Sequence, residues 1–202
     1  ERQTWFNAIA GLGLSGPLLG FGALWAVPYL QLLIDVPGAQ AAGITSTVFV
    51  GMGLGAPFFG WLSDSLNRRK GPLMVGIALT ASALLYLMFA TVHGPIDAGA
   101  ACFVIGFGVS AQIVCFAFAR AHNPAYRAAT AIGLLNALVT GAGALFQPTI
   151  GWLLDRAWDG TTADGIRIYH LADYQEAFLA LLVGLAIAMI AASQLREPAG
   201  TP

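Results

Sequence analysis

Six long apolar stretches, joined by short loops that hold nearly all of the charge, indicate whether this chain folds in water or in a lipid bilayer. None of them has an Asp, Glu, Lys, Arg or His in its middle. About 20 helical residues at 1.5 Å each cross a hydrocarbon core of roughly 30 Å, whereas barrel strands would alternate polar and apolar residues. Because 57% of the residues are hydrophobic and 9% are charged, we predict an all-α integral membrane protein. Its six transmembrane helices are expected at residues 8–34, 41–62, 73–92, 98–119, 128–154 and 174–195.

The Lys and Arg residues of the loops are distributed unevenly between the two sides of the predicted bundle. Positive residues are favoured on the cytoplasmic side of a membrane. The pattern therefore predicts a multi-pass protein of the bacterial inner membrane with both termini cytoplasmic, and it marks topology rather than a nucleic-acid site. Seven basic residues fall on the side of the N-terminus, namely Arg2, Arg68, Arg69, Lys70, Arg120, Arg127 and Arg196, against Arg156 and Arg167 on the other.

One eight-residue pattern occurs twice, 91 residues apart. Residues 57–64 and 148–155 both read P-x-x-G-W-L-x-D, at the ends of the second and fifth stretches. Three crossings reverse the direction of the chain, so two units of three helices would lie in the membrane with opposite topology. This predicts a 3+3 inverted repeat, with units at about 1–97 and 98–202, as in secondary transporters. The alternative is that Pro, Gly, Trp and an acid are simply common at helix ends.

The loop after the second stretch, residues 60–70, resembles the signature loop of the major facilitator superfamily, G-x-L-[AS]-D-[RK]-x-G-[RK]-[RK]. It departs from that pattern at Ser65, where a base is usual, and at Asn67, where Gly is usual, although Asn tolerates a left-handed turn. The resemblance implies half of a major-facilitator fold. The run LWAVPYLQ in the first helix and the pattern of the fifth helix are similar to the C-terminal half. The residues that match are Gly60, Leu62, Ser63, Asp64, Arg68 and Arg69.

The resemblance implies a conformational gate formed by Gly60, Asp64, Arg68 and Arg69. Gly60 lacks a side chain, so a neighbouring helix can approach it closely. Asp64 precedes Arg68 by four residues, and it is expected near the positive N-terminal end of the fifth helix. Such a contact would close one face of the bundle and favour the outward-facing state. The alternative is a helix cap with topology charges.

Neutral polar and aromatic residues predict where a solute binds. Asn136, Thr140, Gly143 and Gln147 are spaced by four, three and four residues, so they share one face of the fifth helix. A polar face is unfavourable against lipid and is expected to line a cavity. In the first helix, Pro28 breaks the backbone bonding and would expose carbonyl groups to a ligand. The alternative is that these side chains bond between helices or pack in the core. The predicted cavity residues are Trp25, Tyr29, Ser110, Gln112, Asn136, Thr140 and Gln147.

Catalytic, metal and cofactor sites are not expected. The three histidines lie in separate loops, and Cys102 and Cys115 are thirteen residues apart on one predicted helix, too far for a disulfide. No deep span carries an ionisable group that would relay protons. The tripeptide Asn-Pro-Ala at 123–125 occurs once and in a loop, whereas a water channel needs two copies at the midplane.

These patterns together predict half of a secondary active transporter that moves a small solute by alternating access. Its expected partners are the lipid bilayer and an N-terminal six-helix half, or else a second copy of the chain. Because the chain begins at Glu1 rather than Met, we expect a piece of a longer polypeptide. The alternative from a different class is a six-helix homodimeric channel or a membrane scaffold without transport.

Overall fold

The computed structural model describes residues 2–163 and 165–197. It confirms the prediction of an all-α membrane protein with six helices long and apolar enough to cross a bilayer. A short antiparallel hairpin of β1 (Thr162–Ala163) and β2 (Ile166–Arg167) lies between the last two helices. The helices are α1 (Arg2–Ile34), α2 (Gly38–Ser65), α3 (Lys70–Phe89), α4 (Pro95–Ala121), α5 (Ala125–Ala157) and α6 (Leu171–Ser193).

Helices α1 and α4 form the centre of the bundle. Helix α1 packs mainly on α5 and α6, and α4 packs mainly on α2 and α3. This arrangement leaves α2 and α5 on opposite flanks, where within the described residues they make almost no contact with each other. Both flanking helices therefore keep one face that the other described helices do not cover.

The two central helices are also the ones that depart from regular α-helix. In α1 the segment Pro17–Trp25 is π-helical, and in α4 the segment Ser110–Gln112 is a 3₁₀ turn. Proline lacks the N–H that would continue the helical bonding, so the widened turn begins where Pro17 removes a donor. We expected the break in α1 at Pro28, and the structure instead places the irregular segment one to three turns earlier. Pro28 itself lies within regular α-helix.

Glycines bring the central helices into backbone contact with their neighbours. A Cβ on Gly51 of α2 would lie 2.1 Å from the carbonyl oxygen of Phe103 in α4, and one on Gly106 of α4 would lie 1.7 Å from that of Val48. On the other side, a Cβ on Gly13 would lie 2.3 Å from the carbonyl oxygen of Gly184 in α6. Without hydrophobic driving force between helices in lipid, such close approach supplies the van der Waals contact that holds the bundle together.

One end of the bundle gathers both ends of the described chain, and we call it the termini end. There Gln3 Nε2 donates to the carbonyl of Gln194 at 3.2 Å, and the Thr4 hydroxyl lies 3.3 Å from Asn123 Oδ1. The opposite end carries the β-hairpin, and we call it the hairpin end. Helix α2 ends at the termini end and α5 ends at the hairpin end, so Asp64 and Asp155 lie at opposite ends.

The two P-x-x-G-W-L-x-D segments have matching surroundings. Position by position, residues 57–64 and 148–155 share the same degree of burial except at the second position. Trp61 is 65% exposed and Trp152 is 59% exposed, while Phe59 and Ile150 are fully buried. These likenesses support the proposed inverted repeat, in which α1 corresponds to α4 and α2 corresponds to α5.

Candidate functional site

The predicted polar face of α5 runs from an open surface to a packed interface. Asn136 and Thr140 are exposed, whereas Gly143 and Gln147 are half-buried against α1. A Cβ added at Gly143 would lie 3.5 Å from Leu19 Cβ. Thus α5 exposes two neutral polar groups on the surface of this chain. One to two turns further along, the same helix packs against the π-helical segment of α1.

Trp25 and Gln147 join α1 to α5 at that closure. The Gln147 Nε2 donates to the carbonyl of Leu19 at 2.8 Å, and the Trp25 Nε1 donates to the carbonyl of Gln147 at 3.2 Å. The indole fits here because Gly151 has no side chain, since a Cβ at Gly151 would lie only 3.3 Å from Trp25 Cζ2. The sequence did not predict this contact of Gly151, although the place of Gly151 in the repeated motif was a signal.

Tyr29 lies in an aromatic cluster rather than on an open surface. Its ring is fully buried, 5.0 Å from Phe178 and 6.0 Å from Tyr174 between ring centroids. Its hydroxyl donates to the carbonyl of Leu87 at 2.6 Å. Trp25 reaches the same cluster through Tyr174 at 6.4 Å. The cluster therefore links the α1–α5 closure to α6.

Ser110 and Gln112 lie in the interior of the bundle on the 3₁₀ turn of α4. Gln112 Oε1 accepts a 2.6 Å hydrogen bond from the Ser15 hydroxyl, which joins α4 to α1. The Ser110 hydroxyl donates to the carbonyl of Phe107 at 2.5 Å and lies against Gly55, where a Cβ would approach it to 2.2 Å. The structure thus brings Trp25 and Gln147 together, and it places Ser110 and Gln112 apart from them.

The predicted gate lies at the termini end, where α2 ends. Asn67 has φ of 48°, which confirms that Asn takes the left-handed turn at the position where Gly is usual. Asp64 is exposed, and among the described residues it forms no ion pair within 4 Å. The described parts of α2 and α5 make almost no contact with each other, so the expected contact between Asp64 and the start of α5 stays a prediction. A Cβ at Gly60 would meet none of the described atoms within 4 Å.

Glu197 holds the basic loop in place, a role that was not predicted from the sequence. Its carboxylate accepts hydrogen bonds from the backbone N–H of Arg69 at 3.0 Å and of Lys70 at 2.9 Å, at the start of α3. An acid at a helix N-terminus satisfies donors that have no partner within the helix and interacts favourably with the dipole. The Arg69 side chain turns away to donate to the carbonyl of Ala117, and Arg68 is exposed.

A polar cluster closes the hairpin end. Asp155 Oδ1 accepts hydrogen bonds from Arg167 and from the Tyr169 hydroxyl, both at 2.5 Å. Asp159 accepts from the Thr161 N–H at 2.8 Å and lies 3.1 Å from His170 Nε2. These bonds, first those from Thr161 and then that from His170, lower the pKa of Asp159 to about 2. The cluster ties the hairpin to α5.

Comparison with known proteins gives two findings. The family model described as Major Facilitator Superfamily matches residues 7–202. A protein of Arabidopsis thaliana named Organic cation/carnitine transporter 7 is 27% identical over 153 residues, which are 75% of this chain and 30% of that protein. The chain thus aligns with less than a third of this relative.

Proposed function

Because the chain belongs to the Major Facilitator Superfamily, we propose that it is one six-helix half of a secondary active transporter, most similar to the C-terminal half. In this proposal the half works in a bacterial inner membrane, with both termini cytoplasmic. It carries a small solute by rocking against an N-terminal half around a site near the midplane. Most of the length of the relative named as a transporter lies outside the alignment. This supports the proposal that the half works together with a second half.

The observation that carries the proposal is the polar row that α5 exposes beside its closure on α1. Asn136 and Thr140 are exposed neutral polar groups in a helix otherwise suited to lipid. Polar groups in a membrane normally face other helices or water. An opposing half would cover this row and enclose it as a cavity. Gln147 and Trp25, which join α1 to α5, would then form the wall of that cavity.

The free faces of α2 and α5 support a partner of the same kind. Among residues 2–163 and 165–197, nothing lies within 4 Å of where a Cβ would project from Gly53 on α2 or from Gly133 and Gly141 on α5. Small residues on a membrane helix permit close approach of another helix. We propose that Asp64, exposed at the end of the α2 face, acts in the gate toward that second half together with Arg68 and Arg69.

Reconstituted uptake tests the proposal. We would measure uptake of labelled organic cations, sugars and amino acids into vesicles containing this chain alone, or this chain with an N-terminal six-helix half. Transport only by the pair supports the proposal, and the variant N136A/T140A should then lower uptake. The matched variant S82A, at an exposed polar position on α3, should not. Transport by the chain alone would favour the homodimeric channel, and uptake by neither would favour the scaffold.

A further inference from the structure

A polar pocket of about 280 Å³ lies at the termini end, between the start of α1 and the segment that follows α6. Arg2, Gln3, Gln194 and Arg196 contribute its polar groups. Besides the bond from Gln3 to Gln194, the Arg196 N–H donates to Gln3 Oε1 at 2.9 Å. The two backbones that carry the arginines are therefore fixed to each other, and the pocket is a defined part of the fold.

Among the described residues, the pocket holds two positive charges that no carboxylate pairs with. Within residues 2–163 and 165–197, neither guanidinium is part of an ion pair. The Arg2 guanidinium lies 5.2 Å from the centre of the Phe6 ring. Glu197, the next residue after Arg196, directs its carboxylate to the start of α3 instead. A phosphate would provide the missing negative charge and accept several hydrogen bonds from the two guanidinium groups.

An apolar groove of about 310 Å³ runs between α1, α5 and α6. Its walls are hydrocarbon, and its hydroxyl group, that of Thr149, donates to the carbonyl of Leu145 at 2.6 Å. On α6 the groove is bordered by Val183 and Ile187, which are 58% and 50% exposed. A hydrocarbon chain could therefore pack in the groove, and the Thr149 hydroxyl would keep its hydrogen bond.

The polar pocket and the apolar groove follow each other along the same two helices. On α1, Arg2 precedes Leu12 of the groove by ten residues, which is about 15 Å of helix. That distance is half of the roughly 30 Å hydrocarbon core, the depth of one leaflet. On α6, Ile190 is 65% exposed and continues the apolar surface from Ile187 toward Arg196. A charged head at the arginines would therefore place its chain in the groove.

We propose that this surface binds an anionic phospholipid. The phosphate lies between Arg2 and Arg196, and one acyl chain follows α1 and α6 into the groove beside Leu12 and Val183. Basic pockets at the ends of membrane helices bind anionic head groups because they combine local charge with the potential of the membrane surface. The site is separate from the proposed solute cavity, and it does not depend on which solute is carried.

Native mass spectrometry of the purified chain tests the site. We would compare dioleoyl phosphatidylglycerol with dioleoyl phosphatidylcholine, which differ in net charge. Each basic residue near a lipid surface contributes about 1 kcal/mol to the binding of an anionic lipid. The wild type should therefore bind phosphatidylglycerol roughly tenfold or more tightly than it binds phosphatidylcholine. R2Q/R196Q should remove this preference, while R2K/R196K should keep most of it. R120Q/R127Q removes two charges in the same region outside the pocket and should keep the preference.

Two further measurements separate the parts of the site. V183W fills the groove and should weaken the binding of both lipids without changing the ratio of their affinities. Glycerol 3-phosphate, which has the phosphate without the chains, should compete poorly. Equal affinity for the two lipids in the wild type would overturn the proposal, as would an equal loss of preference in R120Q/R127Q. If glycerol 3-phosphate bound as tightly as phosphatidylglycerol, the site would be a phosphate site and not a lipid site.

Discussion

Replacement of Gly51 by Ala should force α2 and α4 apart. The new Cβ would lie 2.1 Å from the carbonyl oxygen of Phe103, whereas ordinary contact begins at 3.4 Å. The obstacle is backbone, so it cannot turn aside as a side chain would. The two helices must separate by about 1.3 Å, the difference between those distances. A gap of that size removes more than half of the dispersion attraction between the facing atoms.

The expected loss of stability is about 3 kcal/mol, the upper end for overpacked cores. For a chain of this size that corresponds to a fall in Tm of roughly 6–12 °C. Cys102 and Cys115 are both fully buried, so a thiol-reactive dye reports unfolding in detergent without any added label. Cys102 lies on α4, close to the contact that the substitution disturbs.

Gly53 supplies the matched control, because it lies two residues away on the same helix with open space at its Cβ position. Gly53→Ala carries only the gain in helix propensity, up to about 1 kcal/mol. Its Tm should stay equal to the wild type or rise slightly. Equal Tm values for G51A and G53A would refute the claim that backbone contact between α2 and α4 holds the bundle together.

Three further predictions concern the solute site, the gate and the hairpin. Q147A removes the bond to Leu19 and should lower stability by about 0.6 kcal/mol, the mean for hydrogen bonds between membrane helices, whereas T140A should leave Tm unchanged. D64N should shift the assembled carrier toward the inward-facing state, and equal cysteine accessibility at both faces in wild type and variant would contradict this. The lowered pKa of Asp159, about 2, means that its contribution to hairpin stability is complete above the ordinary value of 3.8 and is lost as the pH falls toward 2. The NMR shift of the Thr161 amide should therefore titrate with a midpoint near pH 2, and a midpoint near 4 would contradict the hydrogen bonds.

The six spans could be predicted because hydrocarbon tolerates few ionised groups, so apolar length alone marks a helix. The left-handed turn at Asn67 followed from local backbone preference in the same way. The hydrogen bonds of Glu197 could not be predicted, because they join the segment after α6 to the start of α3. These segments are distant in sequence, and their approach depends on the whole bundle. The break in the bonding of α1 was predicted too late in the helix, at Pro28, because Pro28 and Pro17 both remove a donor. The sequence does not tell which of the two prolines the packing accommodates.

The exposed polar row of α5 shows a second limit of the sequence pattern. The spacing of Asn136, Thr140 and Gln147 puts them on one face of α5, but such a face can be covered either by this chain or by another. Gln147 is covered by α1 of the same chain through the bond to Leu19, whereas Thr140 is exposed. Periodicity records only that a polar side chain avoids lipid. It does not record whether the protein that covers it belongs to the same chain.

The repeated motif distinguishes a helix face that this chain covers from one that another chain would cover, and it does so more clearly than any single residue. Gly60 and Gly151 occupy the same place in the motif and are equally half-buried, so the local sequence assigns them the same role. Trp25 fills the space at Gly151, whereas a Cβ at Gly60 would meet nothing within 4 Å in the part of the chain that the structure describes. A glycine that none of the described neighbours requires is explained if a helix from outside approaches it. This difference favours a partner that packs along α2 at the termini end, which is where Asp64 lies exposed and the proposed gate would act.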